Sequence, residues 1–149
     1  MEVYVEIINL KENDLLLDEY IKLCHLEWGE SNNIDIQDKK NKILKGDKVI
    51  SILGLVNNNI LIGFISLFKY DGDVRRDLTP WYATMYVKNT YRNKGYSKIL
   101  NEAILKEAKL LGYNKVYLKT ELINYYEKFG AKYIEKLSNG ERLYYIDLK

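Results

Sequence analysis

A chain of 149 residues with 23 basic and 21 acidic side chains, formal net charge +2, has the size of one domain and too even a charge to mark a nucleic-acid binder. At 47% hydrophobic and 30% charged residues it can bury a core unaided, which excludes a disordered chain and a disulfide scaffold. With one cysteine, Cys24, and one histidine, His25, there is no Cys/His zinc set, and no metal is expected.

The apolar run Ile60-Leu61-Ile62-Gly63-Phe64-Ile65 is far shorter than the roughly 20 residues a bilayer span needs, so no membrane partner is expected. Met1 to Glu6 lacks the basic start and apolar centre of a secretory signal, and the expected address is the cytoplasm. Residues 3–8 alternate like a strand. Asn13-Asp14 then caps a helix with Leu17, Tyr20, Ile21, Cys24 and Trp28 on one face, ended by Gly29. A weaker helix runs through Ile36, Ile43 and Leu44 to Gly46; its Lys39, Lys40, Lys42 and Lys45 read as a solvated face.

Val49 to Val56 and Ile60 to Phe68, separated by three asparagines, read as a hairpin. The polar stretch Tyr70 to Pro80 reads as a surface loop and a candidate substrate rim, where Asp71, Asp73 and Asp77 either attract a cation or are neutralised by Arg75 and Arg76. An apolar strand follows from Trp81 to Val87. Gly95 to Leu111 is the clearest helix, with Gly112 at its end, and Lys115 to Thr120 completes a strand–helix–strand crossover that implies a parallel pair. A short helix is expected over Leu122 to Phe129. Two last strands, Ala131 to Leu137 and Glu141 to Leu148, flank the hairpin signal Asn139-Gly140. The element order describes a single α/β domain of the α+β kind, a mixed sheet of about six to seven strands with flanking helices.

The chemically informative segment is Tyr91-Arg92-Asn93-Lys94-Gly95-Tyr96-Ser97, a loop leading into a helix N-terminus. Unpaired N–H groups and the positive dipole end there can hold a phosphate; Gly95 permits close approach, Ser97 leaves room, and Arg92 and Lys94 add charge. Neither the P-loop nor the dinucleotide fingerprint is present.

The run Val87 to Ser97 resembles the acetyl-CoA pyrophosphate loop of the GNAT superfamily of N-acetyltransferases, with Ser97 where the family has Gly or Ala. Downstream, Tyr125-Tyr126-Glu127-Lys128-Phe129-Gly130-Ala131 is similar to the family's Tyr-Glu-Lys-x-Gly-Phe segment, with Ala131 where a large aromatic or apolar residue is common, and Leu78-Thr79-Pro80-Trp81 and Cys24 to Gly29 resemble a group of small bacterial members. The resemblance implies a splayed parallel strand pair, with acetyl-CoA entering beside Met85, Tyr86 and Val87 and held by Arg92, Asn93, Lys94, Gly95, Tyr96 and Ser97. It implies Tyr126 as the acid that protonates the departing thiolate and a backbone N–H supporting the oxyanion. The family often carries an asparagine where Lys119 stands here; Asn124 is the candidate substitute for pantetheine binding.

Glu27 is the candidate base for the attacking amine, with a solvated helix-end carboxylate as the plain alternative; His25 beside it is more simply structural, and Cys24 a buried small hydrophobe. The resemblance implies transfer of acetyl to a primary amine, on a small molecule, by direct attack in a ternary complex. A non-catalytic acyl-CoA-binding module is the alternative, favoured by Lys119. Monomer and homodimer both remain open, since C-terminal strand edges are free to pair.

Overall fold

Asparagine side chains shape the start of the chain in the computed structural model, which describes residues 4–29, 35–46 and 48–148. Strand β1 is Glu6–Asn9; Val3, where the alternation begins, lies outside the described residues. Asn13 caps helix α1 (Asp14–Trp28), its side chain accepting the Leu16 N–H at 3.1 Å and so satisfying one open donor of the first turn. Leu17, Tyr20 and Ile21 are buried as their spacing predicts. Trp28 departs from that pattern at 50% exposure, because it ends the helix with its ring edge-on to Phe64 at 6.4 Å rather than beneath it.

Helix α2 (Ile36–Lys45) is capped by Asp35 and stopped by Gly46 at φ +76°. The expected solvated lysine face is corrected at Lys40, which is buried and stands 2.9 and 2.7 Å from the carboxylates of Asp14 and Asp18 on α1. A buried ammonium needs paired carboxylates, and these two fasten α2 to α1.

Strands β2 (Val49–Asn57) and β3 (Ile60–Phe68) form the expected hairpin through Asn58 and Asn59, both left-handed at φ +50° and +64°, as a two-residue turn requires. Strand β4 (Trp81–Val87), helix α3 (Tyr96–Leu110) and strand β5 (Lys115–Thr120) make the crossover, and β6 (Lys132–Lys136) and β7 (Arg142–Asp147) close the chain. The seven strands run β1-β2-β3-β4-β5-β7-β6, antiparallel except for β4 and β5.

Each sheet face carries its own core. Leu17, Tyr20 and Ile21 of α1 pack on Ile52, Phe64 and Trp81, whereas Leu100, Ile104 and Ala108 of α3 pack on Ile62, Ile65 and Val116. Each fully buried Leu or Ile contributes about 1.5–3 kcal/mol, so apolar spacing on the helices decides which face each covers.

Strand β4 carries two irregularities. The parallel pair is registered only at Trp81 and Tyr117, with the Tyr117 N–H donating to Pro80 O at 3.0 Å; beyond that point β4 and β5 splay apart. Opposite β3, Ala83 pairs with Ser66 and Tyr86 with Phe64, so Thr84 and Met85 together face Ile65. This is a β-bulge, and Thr84 sits in it at φ +50°, a conformation a β-branched residue seldom adopts.

The helix expected over Leu122 to Phe129 is reduced to one 3-10 turn, Tyr126–Phe129. Asn124 is left-handed at φ +62° and cannot sit inside a right-handed helix; its N–H instead donates to Glu127 Oε2 at 3.1 Å.

Candidate active site

After β4 the chain makes a 3-10 turn, Asn89–Tyr91, and Arg92 folds back so that its Nε donates to Val87 O at 2.8 Å. Asn93 and Gly95 are left-handed at φ +63° and +83°, which turns the loop directly into α3. No side chain caps the first turn of α3, and a Cβ built on Gly95 meets nothing within 4 Å. The helix therefore presents its N–H groups and positive dipole end to open space, which suits an anion such as a phosphate.

That space is a cavity of about 590 Å³. Met85, Tyr86 and Val87 form one wall and Arg92, Asn93, Gly95, Tyr96 and Ser97 another. The structure thus brings most of the sequence-predicted loop residues together with β4. Lys94 is not in the lining; its ammonium stands 5.9 Å over the Tyr91 ring. Asn124 is exposed and lines neither this cavity nor the next.

A second cavity of about 780 Å³ lies between α1, α2 and the sheet. Tyr20, Cys24 and His25 of α1 face it, with Ala83, Thr84 and Met85 of β4 opposite and Tyr126 at its border. Trp28 and Met85 line both cavities, so the two meet where β4 bulges. Glu27, expected beside the acceptor, opens onto the loop-side cavity, whereas His25 faces the larger one.

Tyr126 packs its ring edge-on to Tyr82 at 5.8 Å and to Tyr125 at 4.8 Å. Burial, reinforced by Tyr125, pushes its phenol up to about 12, so it holds its proton throughout the neutral range. Tyr82 donates to Met85 Sδ at 3.2 Å, and burial raises its phenol as well. Burial also pushes the Cys24 thiol up to about 12, which disfavours the thiolate at neutral pH.

The bulge is held by a polar chain that strand alternation gave no means of finding. Thr84 Oγ1 donates to Ser66 Oγ, which is hydrogen-bonded to the Tyr20 hydroxyl at 2.8 Å. Lys119, singled out in the sequence as a departure, reaches from β5 to the loop after β3, its ammonium donating to Asp71 O at 2.9 Å. In that loop Arg75 pairs with Asp77 and Glu135 and Arg76 with Asp73, so the arginines neutralise two of its three aspartates; Asp71 lies instead beside Lys119.

Among the described residues no group of three or more His, Cys, Asp or Glu side chains is arranged to hold a metal, and no helix is long and apolar enough to cross a membrane. Among curated proteins no sequence matches the chain. Solved structures do match. An aminoglycoside 6'-N-acetyltransferase complexed with coenzyme A superposes with TM-score 0.74 at 18% identity, over 97% of each chain. An N-acetyltransferase from Staphylococcus aureus Mu50 gives 0.73 at 20%, over 98% of this chain and 99% of its own. A putative acetyltransferase from Salmonella typhimurium with its cofactor acetyl-CoA gives 0.72 at 14%, over 97% and 94%. At these identities the likeness is one of fold. The model of the acetyltransferase (GNAT) family matches residues 14–131, spanning both cavities' principal walls, and the chain belongs to that family.

Proposed function

We propose that the protein transfers acetyl from acetyl-CoA to a primary amine on a small molecule, the amine attacking directly while both substrates are held. The observation that carries this reading is the meeting of the two cavities at Met85, beside a bulged and splayed strand. The uncapped first turn of α3, with Arg92 and Ser97 alongside, suits the pyrophosphate, and the edge of β4 beyond Trp81 is free of β5 and suits the pantetheine amides.

Main-chain N–H groups at the bulge are the natural support for the acetyl oxygen as it gains charge, an effect of roughly 2.7–4 kcal/mol for one well-aimed donor. Tyr126, protonated at neutral pH, gives its proton to the departing thiolate. Because His25 lines the acceptor cavity and Glu27 does not, His25 is the better-placed base for the amine proton.

Release of free thiol from acetyl-CoA in the presence of a panel of amines tests the reading. Amine-dependent thiol release supports it. Binding of acetyl-CoA without release for any amine overturns it in favour of a non-catalytic acyl-CoA-binding module, the reading that Lys119 would then explain.

A further inference from the structure

The charge around the larger cavity says what the amine is attached to, an inference that rests on the acetyl-transfer reading above. Its described lining carries four lysines, Lys39, Lys42, Lys48 and Lys119, against two carboxylates, Asp71 and Glu141. The Lys119 ammonium lies 2.9 Å from the Asp71 carbonyl and 3.9 Å from its carboxylate, which Lys48 also acts on. Lys42 is held by Asp38 at 3.1 Å, one turn back on α2.

Lys39 and Lys48 have no ion pair within 4 Å among the described residues. Lys39 acts on the Cys24 thiol in the same cavity, opposing the effect of burial, and the Lys48 ammonium stands 5.3 Å over the ring of Phe68, another wall residue. Two described carboxylates face them: Asp71, which Lys48 acts on as well as Lys119, and Glu141, which accepts the Asn139 side-chain amide at 2.7 Å; four ammonium groups against these two leave positive charge in excess. Ile21, Val49 and Phe68 supply apolar surface in the same space. A polycation would carry its surplus charges against two ammonium groups, whereas an anion would find them available.

We propose that the acceptor is a primary amine that also bears an anionic group, a carboxylate or a phosphate, seated against Lys39 and Lys48 with its amine toward Met85.

Matched amines differing only in the anion test this: L-phenylalanine against phenethylamine, and glucosamine 6-phosphate against glucosamine, with kanamycin as the polycation. Binding to the CoA-loaded protein is measured by calorimetry and turnover by thiol release. In at least one pair the anionic member is expected to bind about tenfold or more tightly, with the advantage shrinking as salt rises. The pair that shows it assigns the anion. In a Lys39→Glu, Lys48→Glu double variant that preference disappears while acetyl-CoA affinity is unchanged. Preference for kanamycin or for the neutral members, no gap in either pair, or a gap that survives the double variant overturns the proposal. Anionic binding without thiol release upholds it and overturns acetyl transfer; thiol release with kanamycin but not with the anionic amines does the reverse.

Discussion

Thr84 Oγ1 donates to Ser66 Oγ at 2.5 Å across the bulge between β3 and β4. Ser66 is fully buried and passes the connection to Tyr20 on α1, so the strained residue next to Met85 is tied to the helix that walls the larger cavity. Replacing Thr84 by valine keeps the branched shape and removes the hydroxyl. The loss of one buried hydrogen bond costs about 1 kcal/mol, a fall of roughly 2–4 °C in Tm for a chain of this size. If the bulge aims main-chain N–H groups at the acetyl oxygen, kcat falls about tenfold beyond what stability explains, with KM for acetyl-CoA little changed. Steady-state kinetics beside a melting curve check both.

Tyr126→Phe removes the proposed proton donor while leaving the ring packed on Tyr82. The expected result is a kcat lowered about 100-fold at unchanged Tm, with little change in acetyl-CoA affinity. The raised phenol also fixes a sign. Its protonated form is favoured in the folded state, so its contribution to stability is complete below the unfolded value near 10 and is lost as pH rises through about 12. Titration of Tyr126 therefore produces no alkaline loss of activity below about pH 10. A pH–rate profile in which a limb below pH 10 vanishes in the phenylalanine variant would remove it as the donor.

His25→Gln and Glu27→Gln separate the two base candidates. Since only His25 lines the larger cavity, its replacement is expected to lower kcat/KM for the amine about 100-fold, and that of Glu27 less than threefold. The reverse order would return the role to Glu27.

Gly95→Ala probes the loop. Space is not the obstacle, because a Cβ there meets no protein atom; the left-handed backbone at φ +83° is, at about 1 kcal/mol. Calorimetry is expected to show acetyl-CoA binding weakened about tenfold, the methyl intruding where the ligand approaches α3.

Cys24 faces the larger cavity yet is expected to resist alkylation. With its thiol pushed up to about 12, the thiolate at pH 8 is scarce, and iodoacetamide should react on the order of 10³-fold more slowly than with free cysteine. Denaturation restores the ordinary rate.

Much of the fold is legible in the sequence because each helix has one apolar face and each hairpin a marked turn. Leu100, Ile104 and Ala108 announce α3, and Asn58-Asn59 the hairpin, through local rules alone. The bulge at Thr84 is not legible, since an extra residue shows only against the partner's register, and Trp81 to Val87 reads as an ordinary strand. Lys40 looks solvated until α1 brings two carboxylates to it. The loop from Arg92 to Ser97 is local and was readable, whereas the placing of His25 and Glu27 in different cavities depends on how α1 lies across the sheet.

The two tryptophans divide sharply. Trp81 is sealed in the core with its indole N–H donating to Leu78 O at 3.0 Å, whereas Trp28 is half exposed and forms part of the wall of both cavities. The protein consequently carries a native optical reporter where its two cavities meet. Trp81 lines neither chamber, whereas filling either one is expected to perturb the emission of Trp28.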